Sequence, residues 1–123
     1  MNIRFLGHAA FALEHDGTTV LVDPFLTGNP KAAADAAEVE ADAILLTHGH
    51  ADHIGDTVDI AKRTKAKVVA IVELANELQE DGVQNVSDPN IGGTVDFGNV
   101  SVRLTPAWHT STTPSSTRTS AAR

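Results

Sequence analysis

The chain has 123 residues, enough for one domain with a modest core. Its 16 acidic and nine basic side chains leave a net charge of −7, which disfavours phosphate backbones and acidic membrane surfaces, where a basic patch is expected. There is no cysteine, which excludes disulfides and thiolate metal sites; any metal ligands must be His, Asp or Glu.

Residues 2–6 and 9–15 read as two short strands, with Phe11 and Leu13 alternating with small or polar neighbours. Asp16-Gly17 signals a turn, and Thr18 to Val22 is β-branched and apolar. A hairpin is therefore expected over 9–22, ended by Asp23-Pro24, because proline lacks a donor and restricts the residue before it. Between 25 and 40, Gly28-Asn29-Pro30 marks a loop. The alanine-rich Lys31 to Ala37 has helix propensity but a poor apolar face, so a loop with one helical turn is expected there.

Ala43-Ile44-Leu45-Leu46-Thr47 has the continuous apolar character of a strand buried on both faces. Ile54, Val58 and Ala61 then recur at helical spacing, with Asp56 placed to cap or favour a helix N-terminus. Lys67 to Val72 reads as a second buried strand, and Glu73 to Glu80 as a helix stopped by Gly82. Thr94 to Phe97 and Val100 to Thr105 flank Gly98-Asn99, a two-residue hairpin signal. This order of elements predicts a layered α/β arrangement. Nine of the fourteen residues from Thr110 to Arg123 are Ser or Thr and none is large and apolar, so 110–123 is expected to be a disordered tail after a domain spanning 1–109. The longest apolar runs, such as Val68 to Val72, fall far short of the roughly 20 residues that span a bilayer. The start, Met1 to His8, lacks a signal-peptide layout, and a cytoplasmic protein is expected.

The chemistry is concentrated in His48-Gly49-His50-Ala51-Asp52-His53, directly after the apolar strand. Imidazole nitrogen suits zinc, copper, iron and nickel, and carboxylate oxygen adds harder character. On a tight loop leaving a strand end, the spacing of His48 and His50 can converge two imidazoles on one ion. Asp52 and His53 would then project towards a second. Gly49 and Ala51 are small enough to let the backbone turn closely past the metals. Open α/β sheets bind ligands at this end of their strands. There is no P-loop and no serine in a nucleophile elbow, so a covalent serine mechanism is unsupported.

Thr47 to His53 resembles the HxHxDH signature of the metallo-β-lactamase fold superfamily. Gly7-His8, Val22-Asp23-Pro24-Phe25, Asn90-Ile91-Gly92-Gly93 and Pro106-Ala107-Trp108-His109-Thr110-Ser111 are similar to one branch of it, the UPF0173-type metal-dependent hydrolases related to ascorbate-6-phosphate lactonase. The resemblance covers residues 1 to about 111. It implies that His48, His50 and His109 hold a first metal and that Asp52 and His53 hold a second. Asp23 would brace the His-rich loop from behind, its alternative being a turn former before Pro24. His8 would lie near the site and bind substrate, its alternative being a simple strand-end histidine.

The implied activity is hydrolysis of a small ester, lactone or phosphorylated substrate by water that a divalent metal activates, with Asp52 also orienting that water. Zinc is the expected ion; manganese, iron and nickel suit the same ligands. Two other readings are a nuclease of the same superfamily, which the acidic balance disfavours, and a non-catalytic metal-binding half-domain that needs a partner. The family fold is an αββα sandwich of two similar halves, and this chain is expected to supply the amino-terminal half. The family's bridging aspartate and final histidine lie in the other half, and no Asp, Glu or His follows His109 here. Truncation or a shifted reading frame is the expectation, with self-association through the exposed sheet face.

Overall fold

A computed structural model describes residues 1–113. Six strands form one sheet in sequence order: Asn2–Gly7 (β1), Ala10–His15 (β2), Thr18–Val22 (β3), Ala43–Leu45 (β4), Lys67–Val69 (β5) and Val86–Ser87 (β6). The pairs β1–β2 and β2–β3 are antiparallel, while β3–β4, β4–β5 and β5–β6 are parallel. Helices Ala51–Ile54 (α1) and Thr57–Thr64 (α2) connect β4 to β5, and Val72–Glu80 (α3) connects β5 to β6. Thr94–Asp96 (β7) and Ser101–Arg103 (β8) make a separate antiparallel hairpin. No helix among the described residues is long and apolar enough to cross a membrane.

Two successive antiparallel pairings leave β1 pointing the same way as β3, and β4 is parallel to β3. The carboxyl ends of β1, β3 and β4 therefore share one edge. Gly7-His8, Asp23 and the His48–His53 segment all emerge there.

Side chains alternate across a strand, so the register defines two faces. On one face Leu6, Ala12, Leu21, Ile44 and Val68 are buried with Ile60 and Ala61 of α2 and Leu74 and Leu78 of α3, in one cluster. Each fully buried Leu or Ile contributes about 1.5–3 kcal/mol relative to exposure. The other face carries Ile3, Phe5, Phe11, Leu13, Val20, Val22 and Leu45. The β7–β8 hairpin reaches that face: Lys67 Nζ lies 5.9 Å from the centre of the Phe97 ring, and Asn99 Nδ2 donates to the Asp16 carbonyl at 3.0 Å. Val20 is fully buried, but Ile3 and Phe5 at the far edge remain 68% and 60% exposed.

Several local expectations are corrected. The second buried strand ends at Val69, and α3 already begins at Val72. A continuous apolar run carries no period that separates strand from buried helix. Ile54 belongs to α1 rather than to α2. Gly55 breaks the two apart at φ +48, where a Cβ would strike the Pro24–Phe25 backbone. Asp56 precedes α2 but does not cap it through its side chain; its Oδ2 accepts from the amides of Leu26 (3.0 Å) and Thr27 (2.8 Å) instead. The alanine-rich segment, by contrast, is a loop of turns as expected, and Arg63 Nη2 donates to the Ala36 and Val39 carbonyls at 2.9 and 2.6 Å. Strand β6, two residues long, was not anticipated, since so short an element leaves no pattern. Of the tail expected to be disordered, residues 114–123 lie outside the described residues, whereas Ser111 and Thr112 make specific contacts.

Candidate metal centre

The site begins with a break in the apolar strand. After Leu45, Thr47 turns the chain over Asp23, and the Asp23 amide donates to the Leu45 carbonyl at 3.0 Å. His48 follows outside any strand or helix, and His50 has extended backbone at φ −68 and ψ 146. The chain then enters α1, so Asp52 and His53 lie in a helical turn rather than on an open loop.

Asp23 is 2% exposed, and both its oxygens are engaged. Oδ1 accepts from the Thr47 amide at 2.9 Å; Oδ2 accepts from Thr47 Oγ1 at 2.6 Å and lies 2.8 Å from His53 Nδ1. A buried carboxylate that accepts three bonds is fully satisfied. Asp23 therefore braces the His-rich segment and does more than form a turn, although it also takes a left-handed φ of +46 before Pro24.

Those bonds set the imidazole tautomers. Thr47 Oγ1 spends its proton on Asp23, so it accepts from His48 Nδ1, 2.9 Å away. His53 Nδ1 donates to Asp23, and His109 Nδ1 to the Thr110 carbonyl at 2.6 Å. All three rings are left with a lone pair on Nε2, the arrangement that metal-ligating histidines show. His48 Nε2 is buried and has no hydrogen-bond partner. Burial first, then the neighbouring His53, His109 and His50 rings, push the His48 pKa below its ordinary 6.5, against a smaller upward pull from Asp23. The neutral, ligating form is favoured.

His48, His50 and His109 bring one donor atom each to within 4.8 Å of one another. The rings of His48 and His109 lie 4.4 Å apart, and those of His48 and His50 4.8 Å apart. His109 thus lies against the His-rich segment. In a second group, His8, Asp52 and His53, the donor atoms also lie within 4.8 Å of one another. Asp23 lies equally close to donors of His48 and His53, but it is already committed to hydrogen bonds. His15 lies apart, 3.4 Å from Asp16. An orphaned buried nitrogen among preset imidazoles fits a divalent ion of borderline softness.

Sequence reasoning missed Ser111 and Thr112. Ser111 Oγ accepts from the Gly49 amide at 2.9 Å, and Thr112 Oγ1 donates to the Gly49 carbonyl at 3.0 Å. A Cβ at Gly49 would overlap the Thr112 carbonyl. Glycine is required here by this side-chain-to-backbone clasp. Ser111 stands at the end of the Trp108-His109-Thr110-Ser111 string, while Thr112 carries no local signal that sets it apart from the polar residues after it.

A mixed sheet with a histidine–aspartate cluster at its carboxyl edge defines a metal-binding α/β protein. Residues 3–121 match the family model of the metallo-beta-lactamase superfamily, and the chain belongs to that superfamily. It is similar to a UPF0173 metal-dependent hydrolase of Methanopyrus kandleri, 54% identical over 111 residues that make up 90% of this chain and 48% of that protein. Among solved structures it is similar to Igni18, described as a novel metallo hydrolase from Ignicoccus hospitalis. The TM-score is 0.78 at 35% identity, over 89% of this chain and 49% of that one. It is also similar to CmlA, a diiron beta-hydroxylase from Streptomyces venezuelae, with a TM-score of 0.70 at 27% identity over 85% of this chain and 23% of the other. The chain spans about half the length of the curated relatives it matches.

Proposed function

We propose that this chain carries the metal-binding half of a hydrolase acting on a small ester, lactone or phosphorylated substrate. The observation that carries it is the buried, unpartnered Nε2 of His48, grouped with His50 and with a His109 ring whose Nδ1 is engaged and whose Nε2 is free. In this reading His48, His50 and His109 hold one zinc ion, and Asp52 and His53 contribute to a second. Bound zinc lowers the pKa of water towards 7 and polarises a carbonyl or phosphoryl oxygen. The chain's own residues do the rest. Asp23 and Thr47 fix the imidazoles, and Asp52, half exposed at the start of α1, accepts a hydrogen bond from the attacking water and orients it.

The test is hydrolysis of a panel of aryl esters, lactones and phosphate esters by the metal-free and zinc-loaded chain. Turnover that needs zinc and is lost in His48→Ala is the expected result. Iron loading belongs in the same panel, because one structural neighbour is a diiron protein.

A specific observation favours a second reading, a non-catalytic half-domain that pairs with another copy: Ile3 and Phe5 stand exposed on the open sheet face. Zinc uptake without turnover on any substrate, by a chain that self-associates, would select it.

A further inference from the structure

We propose that His8, Asp52 and His53 form a second metal site that this chain completes by itself, with His8 as its third ligand. The proposal rests on the reading that the histidine cluster binds metal, and adds a donor that reading does not use.

The placement of His8 is built into the fold. The β1–β2 register slips between Phe5 and Gly7, a bulge of the kind that re-aims a side chain at a strand end. Gly7 follows at φ +103, packed against the backbone of Lys31, and His8 itself takes φ +59. A non-glycine residue held there is strained and needs surrounding structure to keep it so. The loop supplies part of that, since the Ala33 amide donates to the Leu6 carbonyl at 3.0 Å. Phe25 supplies more, edge-on to the His8 ring at 5.5 Å. A simple strand-end histidine would need none of this.

The result is a set of three donors, His8 from the end of β1 and Asp52 and His53 from α1. His8 Nε2 lies 3.3 Å from Asp52 Oδ2, and His53 Nε2 lies 3.9 Å from Asp52 Oδ1. A tetrahedral ion with bonds of about 2.0–2.2 Å holds its ligand atoms about 3.3–3.6 Å apart. The two separations run to different Asp52 oxygens, and one donor atom from each of the three residues lies within 4.8 Å of the others, close enough for one ion to draw together. A His8–Asp52 ion pair alone would leave unexplained why His53 Nε2 joins them. Because Asp23 holds His53 Nδ1, the Nε2 lone pair of His53 is the one presented to this group. Two nitrogens and a carboxylate oxygen leave a fourth position for water or substrate, as catalytic zinc sites do.

The test is zinc titration of the metal-free 123-residue chain against a chromophoric chelator. The wild type is expected to bind two ions. His8→Asn keeps a residue that tolerates the left-handed backbone and removes the imidazole. It is expected to bind one ion at unchanged affinity and the second at least tenfold more weakly. Two ions at unchanged affinities in a folded His8→Asn chain would overturn the role of His8 and leave the His48–His50–His109 reading standing. A wild type that binds one ion would likewise overturn the second site alone, whereas a wild type that binds none would overturn both. Should the variant fail to fold, side-chain ¹⁵N NMR of the wild type decides. His8 Nε2 is expected to shift on adding the second equivalent of zinc, and an unmoved resonance overturns the proposal.

Discussion

Asp23 Oδ2 and His53 Nδ1 lie 2.8 Å apart, and the same oxygen takes the Thr47 hydroxyl at 2.6 Å. One buried carboxylate therefore orients His53 directly and His48 through Thr47, linking both candidate ligand groups from behind. Partners of this kind fix ring orientation and raise ligand basicity. Asp23→Asn is expected to weaken zinc binding about 10- to 100-fold, in both steps of a chelator titration. Thr47→Val cuts only the link to His48 and should weaken the first site more than the second. Equal affinities in Asp23→Asn and wild type would show that the rings hold their places unaided.

The depressed pKa of His48 fixes a pH dependence for the metal-free chain. Above about pH 6.5 the residue is neutral whether the chain is folded or unfolded. As pH falls through 6.5 the unfolded chain takes up the proton first, because burial and the three neighbouring rings oppose it in the fold. Stability is therefore lost on acidification, down to the folded pKa. Urea midpoints of the metal-free chain are expected to fall between pH 7 and 5, less steeply in His48→Gln. A midpoint that rises over that window would contradict the assignment.

Gly49→Ala tests the clasp to the segment after β8. The new methyl meets the Thr112 carbonyl, a backbone atom that no side-chain rotation can move. Overpacking of this type costs about 1–3 kcal/mol. We expect a lowered urea midpoint together with weaker binding at the first site, since His109 sits two residues before Ser111. A variant with wild-type midpoint and wild-type zinc affinity would mean that the segment yields freely.

The open sheet face predicts association. Ile3 and Phe5 form an apolar edge patch, with the Phe5 and Phe11 rings 5.2 Å apart. Sedimentation velocity is expected to show concentration-dependent self-association of the wild type, reduced in Ile3→Thr/Phe5→Thr. A wild type that stays monomeric at high concentration would remove the basis for the pairing reading.

Most of the strands and the histidine–aspartate cluster are legible in the sequence because each leaves a dense local signal. Phe11 and Leu13 alternate, Ala43 to Leu46 is continuously apolar, and three histidines and an aspartate stand within six residues. What stayed hidden depends on distant partners. Asp56 looks like a helix cap until the amides of Leu26 and Thr27 are brought to it. His8 looks like the end of a strand until a register slip turns it towards Asp52. Ser111 and Thr112 look like the start of a polar tail until Gly49 is found beneath them. In each case the deciding contact lies at least 29 residues away in sequence.

The bonds from Gly49 to Ser111 and Thr112 join positions 62 and 63 apart in sequence. Closing a loop costs entropy that grows only slowly with its length, yet two hydrogen bonds offset little of it. An ion shared by His48, His50 and His109 would act at the same place as a reversible cross-link between the middle of the chain and its last described segment. Metal supply would then govern when the His109 arm docks, and the centre would be among the last parts of the fold to form.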